Sequence, residues 1–129
     1  MARKEIVTVP LPPSTVPLSR AVRFGNLVFV SGTVGGDVQA NEWGDVREQT
    51  RRSLETIRVA LESAGTALEH VLSVTAYLQS VDDFAVYNEV YRSFFPVDFP
   101  TRTTLRADLM LPQILVEISC IAGIPDAAA

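Results

Sequence analysis

Two side chains of opposite charge mark the places where this chain could do chemistry. Arg102 lies near the start of the run 100–108, and Glu117 lies inside the run 115–122. A planar guanidinium can hold a carboxylate through two parallel hydrogen bonds, and a carboxylate can place a water molecule and move its proton. Either side chain is costly to bury without a partner or a ligand.

Each of these residues also has a structural interpretation, and the sequence leaves both open. Arg102 could form a salt bridge at a subunit interface, and Glu117 could face solvent from a strand. Arg106 is better explained as a structural residue. The sequence alone does not place Arg102 and Glu117 together.

Both runs alternate between apolar and polar residues, which predicts half-buried strands. The alternation puts Arg102 and Thr104 on one face of the first strand, and Glu117 opposite Val116 and Ile118 on the second. Pro112 cannot donate to a strand ladder and belongs to the connection. The two runs are therefore predicted to form a closing strand pair.

Four further strands are expected earlier in the chain. They cover residues 5–9, 21–24, 27–31 and 73–79, and Gly25-Asn26 is a two-residue hairpin signal between the second and third. The glycine-rich run 31–37 lacks the lysine of a phosphate loop and predicts a bend or bulge where backbone comes close to another group.

Two amphipathic helices complete the pattern. Asp45 and Glu48 form a candidate capping box, and Gly65 a candidate C-terminal cap. The stripe that the first helix should bury is Thr50, Leu54, Ile57, Leu61 and Ala64. The second helix is predicted from Asp83 to Phe95, stopped by Pro96, with an inward stripe of Phe84, Tyr87, Tyr91 and Phe94.

This order predicts an α+β domain in two layers, a six-stranded mixed sheet with both helices on one face. Four apolar strand residues exceed what two helices can hide, which predicts an oligomer. They are Val28, Val30, Val74 and Leu78. The 129 residues fit a single domain, 1–129, with a short flexible tail at about 125–129.

Composition excludes several classes of function. A net charge of −4 argues against a nucleic-acid surface, and the cluster Arg47, Arg51, Arg52 and Arg58 is interpreted as a solvated helix face. No run is long and apolar enough to span a membrane, and no signal peptide is seen, so we expect a cytoplasmic protein.

The remaining reactive side chains suggest no other site. His70 is the only histidine and has no partners at triad or metal-ligand spacing, so no metal and no cofactor are expected. Cys120 alternates with apolar neighbours and is expected to be inert core. Trp43 is expected to pack on a neighbour, with a lid over a cleft as the alternative.

Five runs of the chain, in this order, resemble the Rid (YjgF/YER057c/UK114) family of enamine/imine deaminases. They are Gly25–Gly32, Gln49–Leu54, Asp83–Asn88, Phe99–Thr103 and Val116–Ile118. The resemblance extends over roughly residues 17–122. It implies a chorismate-mutase-like fold and a homotrimer whose active sites lie at subunit interfaces.

The resemblance also implies roles for particular residues. Arg102 matches the arginine that grips the substrate carboxylate, and Glu117 matches the glutamate that positions water. Ser31, Gly32 and Asn88 match positions that line or shape the pocket, and the backbone at Thr104 matches one that faces the ligand. The implied partner is a small imino or enamino acid.

Two departures from the family pattern bear on the substrate. Leu18 stands where the family has a pocket tyrosine, and Thr104 stands where it usually has a cysteine. The implied activity is that of a 2-iminobutanoate/2-iminopropanoate deaminase-like hydrolase, which gives 2-oxo acids and ammonia. Alternatives are a deaminase of an aminomuconate-like intermediate, a non-catalytic small-molecule-binding trimer, and, with least support, a ribonuclease or translation inhibitor.

Overall fold

A computed structural model describes residues 1–126, folded as one six-stranded sheet and two helices. The strands are β1 (Lys4–Ile6), β2 (Ala21–Phe24), β3 (Leu27–Val34), β4 (Val71–Leu78), β5 (Thr101–Arg106) and β6 (Val116–Gly123). The helices are α1 (Val46–Ser63) and α2 (Phe84–Phe94). Most of the predicted tail, residues 127–129, lies outside the described part.

The strand order β1-β2-β3-β6-β4-β5 confirms a mixed sheet. Every pairing is antiparallel except β4 with β5, which are joined through α2. The prediction that β5 and β6 pair as neighbours is wrong, because β4 lies between them and bonds to both. A parallel pair needs a long crossover connection, and α2 provides it for β4 and β5.

Helix α1 begins and ends at the predicted residues. The Asp45 carboxylate accepts a hydrogen bond of 2.9 Å from the Glu48 backbone N–H, and Gly65 follows the helix with φ of +91°. Only half of the capping box forms, because the Glu48 carboxylate instead accepts bonds from Arg51 and Arg52. The predicted stripe of α1 is buried, as expected.

Helix α2 buries Tyr87 and Tyr91 as predicted, but its first turn differs. Phe84 remains 44% exposed, so its predicted inward position is wrong. It lies at the helix start, stacked on Tyr87 with ring centroids 6.4 Å apart, at the rim of the domain. Phe95, just beyond the helix, takes the buried place at the other end, where Phe94 is only half-buried.

A buried glutamine fixes the start of β6. Gln49 is fully buried on α1, and its Nε2 donates to the Gln113 backbone oxygen at 2.9 Å. Its Oε1 accepts from the Leu115 backbone N–H at 2.9 Å. Because both amide ends are satisfied, the connection that carries Pro112 is tied to α1, and the register of β6 is set from its first residue.

Both helices lie on one face of the sheet, as predicted. The four strand residues expected to stay uncovered, Val28, Val30, Val74 and Leu78, are instead buried under the helices. The surplus apolar surface lies on the other face, because side chains alternate along each strand. The large apolar residues exposed on this open face are Ile6, Phe24, Leu27, Phe29, Leu105 and Ile121.

Candidate functional site

Arg102 lies near the start of the edge strand β5 with its guanidinium beside α2. Its Nη1 donates to the Asn88 Oδ1 at 2.7 Å. The guanidinium carbon lies 4.8 Å from the ring centroid of Tyr91, 5.5 Å from that of Tyr87 and 5.8 Å from that of Phe84. Cation–π contacts of this length hold a guanidinium while leaving its N–H edges free to bind an anion.

The arginine opens into a cleft of about 270 Å³. The lining residues come from α2 and from the segment that leads into β5: Asn88, Tyr91, Arg92, Phe99, Pro100 and Arg102. None of them is acidic. The cleft therefore presents positive charge and hydrogen-bond donors to a small ligand.

Within residues 1–126, the hydroxyls of Tyr87, Tyr91 and Thr104 are buried behind Arg102 and have no hydrogen-bond partner. Burial raises the pKa of Tyr91 to about 12, with a further rise from the neighbouring Tyr87. Burial also raises the pKa of Tyr87, although the nearby Thr104 hydroxyl and Arg102 oppose it. Both phenols therefore stay protonated at neutral pH, and neither can act as a base there.

Glu117 is the second residue of β6 and is half-buried on the open face. Its neighbours across the sheet are Val34 on β3 and Tyr77 on β4. A Cβ atom added to Gly32 would lie 2.5 Å from the Glu117 Oε2. The carboxylate therefore passes directly over the Gly32 backbone, and a side chain there would have to displace it.

The register of β3 against β6 shifts between Val30 and Thr33, which confirms the predicted bulge. Next to it, the Ser31 hydroxyl donates to the Ser19 backbone oxygen at 2.6 Å, so it is committed to holding the segment before β2. Leu18 belongs to that segment and is 45% exposed. The bulge thus brings Gly32 against Glu117, and Ser31 connects it to the segment that contains Leu18.

The predicted site residues fall into two groups. The arginine half-site consists of Asn88, Arg102 and Thr104, on β5 and the facing helix. The glutamate half-site consists of Gly32 and Glu117, with Ser31 and Leu18 in the adjoining segments. Arg102 is paired with Val74 of β4, which is in turn paired with Cys120, whereas Glu117 is paired with Tyr77 of β4. Val74 and Tyr77 are three residues apart on one strand and point to opposite faces, so Arg102 and Glu117 also lie on opposite faces of the sheet. The arginine half-site and the glutamate half-site of one chain therefore do not form a single site.

Three residues line the cleft around Arg102 that the sequence did not place there. Tyr91 was expected only as core, and neither Arg92 nor Phe99 was expected in a cleft. A signal was available for Arg92, because it follows Asn88 by four residues and therefore shares its helix face. Phe99 carries no periodic signal, since it lies in an irregular segment.

The other reactive side chains are accounted for structurally. Burial raises the pKa of Cys120 to about 12, which agrees with its expected inert role. Trp43 donates to the Asn41 Oδ1 at 3.0 Å and packs against Gly36, which agrees with packing rather than a lid, but its ring is buried and not exposed as predicted. His70 lies 3.9 Å from the Glu69 carboxylate at the surface.

The arginines of α1 form ion pairs on its solvent-facing side, as expected. Arg51 and Arg52 bond to Glu48 at 2.6 and 2.9 Å, and Arg58 pairs with Glu55. Arg47 bonds to Glu89 of α2 at 2.9 Å. Within residues 1–126, no helix has the length and apolar content of a membrane span, and no cluster of three metal-ligating side chains occurs.

Solved structures place this fold in a known class of small α+β proteins. Escherichia coli TdcF, solved with bound serine, matches with a TM-score of 0.84 and 30% identity, over 92% of this chain and 98% of that one. The YjgF gene product of E. coli matches with a TM-score of 0.82 and 28% identity, over 92% of this chain and 96% of that one.

Sequence comparison then gives the family. The model of the family described as Endoribonuclease L-PSP matches residues 10–124. A RutC family protein of Pyrococcus abyssi is 38% identical over 95% of this chain and 98% of its own. A protein of Dermatophagoides farinae named 2-iminobutanoate/2-iminopropanoate deaminase is 32% identical over 96% of this chain and 99% of its own. The chain belongs to this family, the Rid/YjgF family that its motifs resemble.

Proposed function

We propose that this protein is a hydrolytic deaminase that converts reactive enamine and imine acids, such as 2-aminoacrylate and 2-iminopropanoate, to 2-oxo acids and ammonia. The observation that carries the proposal is the geometry of Arg102. Its guanidinium is held by Asn88, backed by aromatic rings and open to a cleft without a carboxylate of its own. A substrate carboxylate supplies the missing partner.

The reaction needs little more than positioning. An enamine first tautomerises to the imine, as a proton leaves its nitrogen and one is added at its terminal carbon. Water then adds to the carbon of the C=N bond, the nitrogen is protonated, and the C–N bond breaks to release ammonia and leave a C=O group. Glu117 is the side chain we assign to hold that water and move its proton. The high pKa of Tyr91 leaves it unsuited to that role.

We further propose that the protein acts as a homotrimer. Arg102 and Glu117 leave opposite faces of one sheet, so an active site that uses both needs two chains. The open face offers apolar residues for such contacts, including Phe29 and Ile121. A neighbouring chain seated on it would bring one glutamate half-site against another arginine half-site.

Ammonia-coupled turnover of freshly generated 2-iminopropanoate tests the proposal. Wild type should exceed the uncatalysed rate, and Arg102→Ala should lose at least about 90% of kcat/KM, since a charge-assisted bond contributes roughly 1.5–3 kcal/mol. Arg106→Ala removes a cation from the same strand and is the matched control. Equal loss in both variants, or no rate enhancement by wild type, would contradict the assignment.

A second candidate is a small-molecule-binding protein without turnover. The same arginine cleft could bind a carboxylic acid, and E. coli TdcF has been solved with serine bound. Binding of 2-oxobutanoate without ammonia release from any imino acid would favour this alternative. No contact in the structure favours a ribonuclease, since the arginines of α1 are engaged with glutamates.

A further inference from the structure

Two arginines that line the cleft differ from those of α1. Arg51, Arg52 and Arg58 each bond to a glutamate. Arg92 and Arg102 both line the 270 Å³ cleft, and neither has a carboxylate within ion-pair distance among residues 1–126. Two guanidiniums therefore share one small cleft without an internal counter-charge.

Arg92 and Arg102 are also alike in that each guanidinium is stacked on an aromatic ring. The Arg92 guanidinium carbon lies 5.6 Å from the centroid of Phe99, as that of Arg102 lies 4.8 Å from the centroid of Tyr91. Each cation is stacked on an aromatic wall of the cleft, which restrains it while its donor edge stays free. Arg92 follows Asn88 by one helical turn, and Asn88 is the residue that holds Arg102.

Like charges in one cleft repel each other, and a ligand with two negative groups relieves that repulsion better than a ligand with one. We infer that the cleft selects dicarboxylic 2-imino acids, with Arg102 holding the carboxylate next to the imine and Arg92 holding the carboxylate at the far end. The inference rests on the proposed function, because it names the substrate class of the same site.

Calorimetric titration with two 2-oxo acids of similar shape tests the inference. 2-Oxoglutarate carries the second carboxylate, and its 5-methyl ester carries a neutral group in that place. Wild type should bind 2-oxoglutarate about fivefold more tightly, the upper end of what an exposed ion pair contributes. Arg92→Ala should abolish this preference and leave the affinity for the 5-methyl ester within about twofold, whereas Arg92→Lys should retain part of the preference.

Arg58→Ala removes an equal charge from α1 and should leave the preference intact. The inference is overturned if wild type binds neither acid, if it binds both equally, or if Arg92→Ala and Arg58→Ala weaken the two acids alike. Ammonia release from the imino acid of glutamate, generated by an amino-acid oxidase, separates the two proposals. A lost preference in Arg92→Ala without ammonia release in wild type would retain the ligand class and refute the deaminase.

Discussion

The two faces of the sheet contain similar apolar residues in different surroundings. Under the helices, Val116 and Ile118 are fully buried, and they pack against the stripe of α1. On the open face, Phe29 and Ile121 keep 42% and 36% of their surface exposed. One face is completed by this chain, whereas the other presents a contiguous apolar surface of the kind that marks interaction sites.

The candidate chemistry is divided along the same line. Arg102 approaches the helix side, where Asn88 and the α2 tyrosines hold it. Glu117 lies on the open face above Gly32. The completed face therefore carries the proposed carboxylate-binding group, and the incomplete face carries the proposed catalytic group. Function in this molecule should depend on what covers the open face.

Glu117→Gln is expected to have the largest effect on activity. The amide keeps the size of the side chain but cannot accept a proton, so kcat should fall by about 10²–10⁴-fold while KM changes little. Steady-state ammonia release would measure both. Glu62→Gln, on the exposed side of α1, is the control. A fall in kcat of less than about threefold would remove Glu117 from the chemistry.

Substituting two isoleucines of one strand tests the contrast between the faces directly. Ile118→Ala removes buried methyl groups under the helices and should lower the free energy of unfolding by about 2–5 kcal/mol. Ile121→Ala should cost an isolated chain less than about 1 kcal/mol, because its side chain is partly exposed. Urea unfolding at two protein concentrations would give both values.

The dependence of the free energy of unfolding on protein concentration distinguishes the two substituted positions further. If neighbouring chains cover the open face, the effect of Ile121→Ala should vary with protein concentration, whereas that of Ile118→Ala arises within the chain. Equal, concentration-independent costs at both positions would show that the open face is not an interface.

A charge on the open face should disrupt assembly without unfolding the domain. Phe29→Asp would bury an unpaired carboxylate in the proposed interface, and we expect a lower mass by sedimentation together with lower deaminase activity. Val38→Asp, an exposed apolar residue outside the sheet, is the matched control. Unchanged mass in Phe29→Asp would contradict the proposed trimer.

The local elements could be predicted because their signals are local. The period of α1, its cap at Asp45 and the turn at Gly25 depend on residues close in sequence, and each appears where expected. The partner of β5 could not be predicted in this way, because alternation identifies a strand but not its neighbour. The crossover through α2 decided that pairing.

Prediction of the candidate site from the sequence has the same limit, because local patterns do not report long-range contacts. The motifs identified Arg102 and Asn88, and the structure joins them by a hydrogen bond. Alternation also separated buried from exposed strand positions, but it did not say which face the helices would cover. The face that the helices cover depends on long-range packing, which alternation does not report. The sequence therefore predicts the surplus apolar surface at Val28, whereas the structure has it at Phe29.

The smallest predicted effect is the pH dependence of stability that arises from the tyrosines on the completed face. The pKa of Tyr91 rises from an ordinary 10.0 to about 12, so between these values the folded chain keeps a proton that the unfolded chain has lost. The unfolded chain binds fewer protons there, so stability should fall as pH rises through this window, and it should be unaffected by this group below it. The pKa of Tyr87 is raised as well, and its effect has the same sign.

Tyr91→Phe keeps the ring that supports Arg102 and removes the titrating hydroxyl. Its free energy of unfolding, followed by urea denaturation from neutral to alkaline pH, should decline less steeply above pH 10 than that of wild type. The variant should also lose one buried hydroxyl that has no hydrogen-bond partner, so its stability at neutral pH should not decrease. Tyr77→Phe, across from Glu117 on the open face, provides the comparison. If Tyr91→Phe and Tyr77→Phe reduce the decline in the free energy of unfolding equally, the loss of stability at alkaline pH does not come from the tyrosines behind Arg102. The contrast between the two faces of the sheet then does not include the titration of their tyrosines.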